Sequence, residues 1–221
     1  GSAAAELLCG VGSPSGKLSD TFAKKLEDYP SSETFHESVK YVDYKEDIYV
    51  GYRYFETIPG ADKAVNYPFG YGLSYTTFEC ALVSAEEKQG VIRVRVNVTN
   101  TGKYPGKEVM QLYAQAPQGV LGKAKRVLAA FEKTRLLAQG ETQLLTLEAP
   151  VAQLASYDDL GKIQKSAYVL EKGKYQFYLG TSVRETEQVF CFTMPEDTVT
   201  EQLTAKLVPT SLAERMLSDG S

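Results

Sequence analysis

A chain of 221 residues with 43% apolar and 24% charged residues can bury a core, as one large domain or two modest ones. Its net charge of −4 supplies no basic field for nucleic acid or an anionic membrane, and no apolar run approaches the roughly 18 residues of a bilayer span. The three cysteines, Cys9, Cys80 and Cys191, are isolated, and His36 is the single histidine, so neither a zinc spacing, a disulfide framework nor a histidine-based triad is expected.

In chain order, Gly1-Ser2 and three alanines read as vector-derived residues or a truncated segment over 1–13, because no basic or long apolar leader region follows. Gly10 to Leu18 clusters turn formers. It falls one residue short of a phosphate-binding loop and carries Leu18 where that loop needs a hydroxyl. Leu18 to Phe22 suits a short extended segment and Ala23 to Leu26 one helical turn, broken by Asp28-Tyr-Pro-Ser-Ser32. His36 is expected to be exposed in an irregular acidic segment.

Residues 37–58 set Tyr41, Tyr44, Tyr49, Tyr52 and Tyr54 among Asp43, Glu46, Asp47 and Glu56. Rings and carboxylates together suit a sugar site, where rings stack on pyranose faces and acids accept hydroxyl hydrogen bonds. The same mixture arises where tyrosines pack with their hydroxyls wet. Ile48 to Phe55 fits either a strand with a close approach at Gly51 or a short buried helix. Asn66-Tyr-Pro-Phe-Gly-Tyr-Gly-Leu-Ser-Tyr-Thr-Thr-Phe78 is rich in rings, while Pro68, Gly70 and Gly72 forbid a long regular element. It reads as an aromatic-packed connection between two bodies, with Phe69, Tyr71 and Tyr75 at the seam.

After Phe78 the pattern changes. Ile92, Val94, Val96 and Val98 alternate with Arg93, Arg95, Asn97 and Thr99, the pattern of a half-buried antiparallel strand. Further strands are expected over 107–115, 126–136, 141–148, 165–170, 174–179 and 189–194, with a short stretch around 151–157. Seven or eight strands at this spacing imply an immunoglobulin-like β-sandwich over about 78–195. Val94, Val96, Leu112, Leu145, Leu147, Phe177 and Leu179 are its expected core. Cys191 is expected to be buried, Lys123, Lys125 and Arg126 to form a solvated loop group, and Asn97-Val-Thr99 to be a chance sequon. Beyond 195 the alternation stops, leaving weak helical spacing through Leu203, Leu207, Leu212 and Met216 around Pro209.

Seven motifs in one order carry a resemblance: Pro14 to Phe22, Ile48 to Phe55, Tyr67 to Phe78, Val96 to Gly102, Gly106 to Tyr113, Leu128 to Lys133 and Gly140 to Thr142. Over about 14–193 the chain resembles the C-terminal half of family 3 glycoside hydrolases, the β-glucosidase and β-xylosidase family. The resemblance implies a mainly β fold class: a fibronectin type III-like β-sandwich at 78–195, preceded by a partial α/β sandwich segment at 14–77, with 196–221 as linker or tail. It implies as partners the barrel and the rest of the α/β sandwich of one parent polypeptide, and a β-glucoside as the parent's substrate. Some relatives place the barrel after the fibronectin-like domain, so the tail is a candidate linker to one.

The family's nucleophile lies on the barrel and its acid/base upstream of the matching region. Hence no catalytic residue is assigned, Asp43, Glu46 and Asp47 included. No substrate-binding residue, metal or cofactor is assigned either. The alternative reading is an independent carbohydrate-binding or adhesion module, for which Tyr113, Tyr168 and Tyr178 are the rings expected outside the core.

Overall fold

A computed structural model of the chain describes residues 1–206 and 214–221. Leu207, Pro209 and Leu212, with the helical spacing read through them, lie outside the described residues. The first 77 residues form little regular structure. They contain helix α1 (Ser2–Leu8), strand β1 (Phe22–Ala23), helix α2 (Tyr52–Thr57) and strand β2 (Val65–Tyr67). β1 and β2 pair antiparallel as a two-stranded sheet. The helical turn expected at Ala23–Leu26 falls later, as a 3-10 turn at Leu26–Asp28, because Ala23 is committed to β1. For Ile48 to Phe55 the structure selects the helix. Gly51 sits at its N-terminal boundary with φ +56°, where a Cβ would lie 3.1 Å from Asp20 Oδ1.

Among the described residues ten strands follow: β3 (Phe78–Lys88), β4 (Val91–Asn100), β5 (Val109–Gln115), β6 (Val127–Lys133), β7 (Thr142–Pro150), β8 (Ser156–Asp158), β9 (Ala167–Leu170), β10 (Gly173–Gly180), β11 (Thr186–Met194) and β12 (Thr198–Gln202). They build a sandwich of a β3-β4-β7 sheet against a β11-β10-β5-β6 sheet, with a small β12-β9-β8 sheet beside it, all antiparallel. The period-2 pattern explains the core. Ile92, Val94, Val96 and Val98 project from β4, and Leu145, Leu147 and Ala149 from β7. They meet Met110, Leu112 and Ala114 from β5 and Tyr175, Phe177 and Leu179 from β10. All seven expected core residues are buried in this cluster.

Strands β11 and β12 depart from the sequence reading. Cys191 is exposed, because β11 is an edge strand whose Phe190 and Phe192 turn inward onto Phe177 and Tyr175. Alternation then sends the intervening cysteine outward. β12 was not expected. Every residue of Thr198–Gln202 is exposed, so no apolar face marks it in sequence. It is held by pairing with β9 and by the Gln202 side-chain amide, which donates to the carbonyl oxygens of Lys165 and Ser166 at 3.1 and 3.2 Å.

Candidate functional site

β5 is buried on both faces. Met110, Leu112 and Ala114 enter the sandwich core, while Gln111 and Tyr113 point away from it and are equally buried. Their cover comes from the first 77 residues. Gln111 Nε2 donates to Gly70 O at 3.2 Å and to Thr181 O at 2.6 Å, and Tyr113 donates its hydroxyl hydrogen to Gln111 Oε1 at 2.5 Å. Tyr52 stands edge-on to Tyr113 with centroids 6.4 Å apart and lies 4.4 Å from Phe69. The Tyr52 hydroxyl accepts the Leu128 N–H at 3.0 Å, and Phe69 O accepts the Val183 N–H at 3.1 Å. Tyr113 was expected outside the core as a possible sugar platform. It is covered by Tyr52 instead, and burial pushes its hydroxyl pKa well up.

The stretch 66–78 is stitched on both sides. Gly70 N–H donates to Leu18 O, and Leu18 N–H donates to Tyr71 O, each at 2.8 Å. At its far end Thr76 donates its hydroxyl to Asn100 Oδ1 at 2.7 Å. Asn100 is fully buried. Its Nδ2 donates to the Tyr104 and Leu137 carbonyls, both at 2.8 Å, and its Oδ1 also accepts the Gly102 N–H at 3.0 Å. Both donors and both acceptor positions of the amide are therefore used. Of the rings expected at the seam, Phe69 and Tyr71 are half-buried. Tyr75 is half-exposed, and its hydroxyl reaches back to donate to Leu7 O at 3.0 Å. Ion pairs frame the contact, Lys17 with Glu108 and Arg184 with Glu56, each at 2.8 Å.

The basic loop group is not solvated as expected. Lys123 is buried and ion-paired with buried Glu171, whose other oxygen accepts the Val120 N–H at 2.7 Å. Burial pulls Lys123 down to about 8 against the raising effect of Asp197, and the Glu171 carboxylate paired with it favours the charged form. Arg126 lies over the Tyr178 ring, 4.1 Å from its centroid, and donates from Nη1 to Val183 O and Thr186 Oγ1. Only Lys125 is exposed.

The acidic candidates fall into three environments. Asp43 is exposed and Glu46 is buried. Asp47, at φ +49°, is exposed and lies 3.4 Å from Arg215. The tyrosines around them separate in the same way: Tyr41 and Tyr44 are exposed, whereas Tyr49 is fully buried. His36 is exposed, against Phe35. Among the described residues no cluster of three His, Cys, Asp or Glu side chains could hold a metal ion.

The fold and the seam define a β-sandwich that carries, on the outer face of one strand, a segment with little regular structure of its own. Residues 1–75 match the family model described as the glycosyl hydrolase family 3 C-terminal domain, and residues 108–183 match the fibronectin type III-like domain. The chain is 56% identical to Beta-glucosidase A of Butyrivibrio fibrisolvens, covering 100% of this chain and 29% of that protein. It superposes on a β-glucosidase structure from Paenibacillus barengoltzii with a TM-score of 0.91 at 50% identity, covering 95% of this chain and 23% of the other. It superposes on β-glucosidase 3B from Thermotoga neapolitana in complex with α-D-glucose with a TM-score of 0.80 at 39% identity, covering 90% and 27%. The chain belongs to the family 3 glycosyl hydrolases, as sequence of their C-terminal region, and spans about a quarter of the length of the relatives it matches.

Proposed function

We propose that this chain is the non-catalytic brace of a β-glucosidase-like polypeptide that hydrolyses terminal β-glycosidic bonds with retention. On this reading residues 14–77 are the last part of an α/β sandwich domain, 78–195 are the fibronectin-like domain, and the remaining domains of the same polypeptide are its partners. The observation that carries the reading is the asymmetry of the first 77 residues. One side is fastened to the sandwich, by Gly70 to Gln111 of β5, by Tyr52 to Tyr113 of β5 and Leu128 of β6, and by Phe69 to Val183. Elsewhere Leu8, Val11, Leu26, Val39, Tyr44 and Leu73 are each more than 60% exposed. An apolar surface of that kind, on a segment whose only sheet has two strands, fits a body completed by further chain.

Retaining hydrolysis needs two carboxyl groups about 5–5.5 Å apart across the scissile bond. Of the acids in the tyrosine-rich segment, Glu46 is buried and Asp47 is paired with Arg215. The purified chain is therefore expected not to release nitrophenol from a nitrophenyl β-glucoside. Turnover that co-purified with the protein and vanished in Asp43→Asn or Glu46→Gln would overturn the reading.

A further inference from the structure

We propose that the cleft beside the small sheet is a binding site for a neutral oligosaccharide. The cleft, about 660 Å³, lies between the turn at Asp47, the loop before β6, the β8-β9 hairpin and the returning segment at Arg215. Its wall carries Tyr157 and Tyr168, cross-strand partners with ring centroids 5.4 Å apart. They stay 41% and 38% exposed while their strand neighbours Asp158, Ala167 and Val169 are buried. The sheet fills its core without these rings. Tilted 53° to one another, the two rings leave separate apolar faces on a concave surface, and each face can stack against the C–H face of a pyranose.

The polar groups at the mouth specify the ligand. Arg215 is held between Asp159 at 2.8 Å and Asp47 at 3.4 Å, so its charge is matched. Arg53 is exposed, and its side chain makes no hydrogen bond among the described residues. Guanidinium donors and carboxylate acceptors thus stand side by side with little net charge. A hydroxyl donates and accepts at once and suits such a mouth, whereas an anionic ligand meets Asp47 and Asp159.

The test is calorimetric titration of the 221-residue chain with cellotetraose. Saturable binding is expected, weakened about tenfold or more by the pair Tyr157→Ala and Tyr168→Ala and less than about threefold by the Tyr→Phe pair, which keeps both ring faces. Circular dichroism establishes that each variant is folded. If the alanine pair fails to fold, Arg53→Gln, an exposed change, is read instead and is expected to weaken binding at least about threefold. No saturable heat from folded wild type, an affinity unmoved by the substitutions read, or tighter binding of an oligogalacturonate than of cellotetraose overturns the proposal. These arms measure binding alone, so they can fail without touching the brace.

Discussion

Gly70 holds φ +79°, and a Cβ built there would lie 2.2 Å from Gln111 Oε1. Two costs coincide at that atom: left-handed backbone strain, and displacement of a buried amide that bridges Gly70 and Thr181. Gly70→Ala is expected to lower stability by about 2–4 kcal/mol, measured as a shift of the urea midpoint. Asp158 makes a second residue-scale case. Burial raises its carboxyl pKa, but four N–H groups, of Ile163, Lys162, Gln164 and Gly161, outweigh burial and leave it below the usual carboxylate range. Because the folded value is depressed, its stabilisation is fully present above the unfolded-state pKa of about 3.9 and is lost as pH falls through the lower folded value. Asp158→Ala is expected to cost about 3 kcal/mol at neutral pH, with a gap from wild type that narrows below about pH 4. A gap that stays constant in thermal melts down to acid pH would contradict this.

At the scale of elements, burial follows strand position more than composition. Leu112, on a strand covered on both faces, is fully buried, whereas Cys191, on an edge strand, is exposed. Leu112→Ala is expected to destabilise by about 2–5 kcal/mol and Cys191→Ser by less than about 0.5 kcal/mol, compared by denaturant titration. The sandwich was legible because β4 and β10 each bury one face, so period 2 is written directly in Ile92 to Val98 and Tyr175 to Leu179. What was not legible depends on contacts distant in sequence. Tyr113 and Lys123 look like surface residues until Tyr52, 61 positions from the first, and Glu171, 48 from the second, are placed beside them. β12 has no buried side chain, so periodicity has nothing to report. The fate of the tyrosines in 37–58 was open for the same reason, since whether a ring packs or faces water is decided by the partner element.

For the molecule as a whole, the buried outer face of β5 and the open apolar surface of the first 77 residues point in complementary directions. One fastens this segment to the sandwich, and the other offers it to the rest of the polypeptide we propose. The rings of Tyr157 and Tyr168 lie on the small β12-β9-β8 sheet and not on β5, so substitutions at these two positions test saccharide binding apart from the brace. Such a brace contributes geometry and stability to a catalytic centre without touching the reacting atoms. A seam variant should therefore change how long activity survives heat, not the chemical step itself.

The most direct measurement is the temperature at which the whole parent polypeptide loses turnover of a nitrophenyl β-glucoside, for wild type and for the pair Phe69→Ala and Gln111→Ala. These residues meet Tyr52, Gly70 and Tyr113 at the seam. The expected result is inactivation about 4 °C or more lower, with kcat at room temperature unchanged within about twofold. An unchanged inactivation temperature, or a fall in kcat at undiminished stability, would contradict the brace.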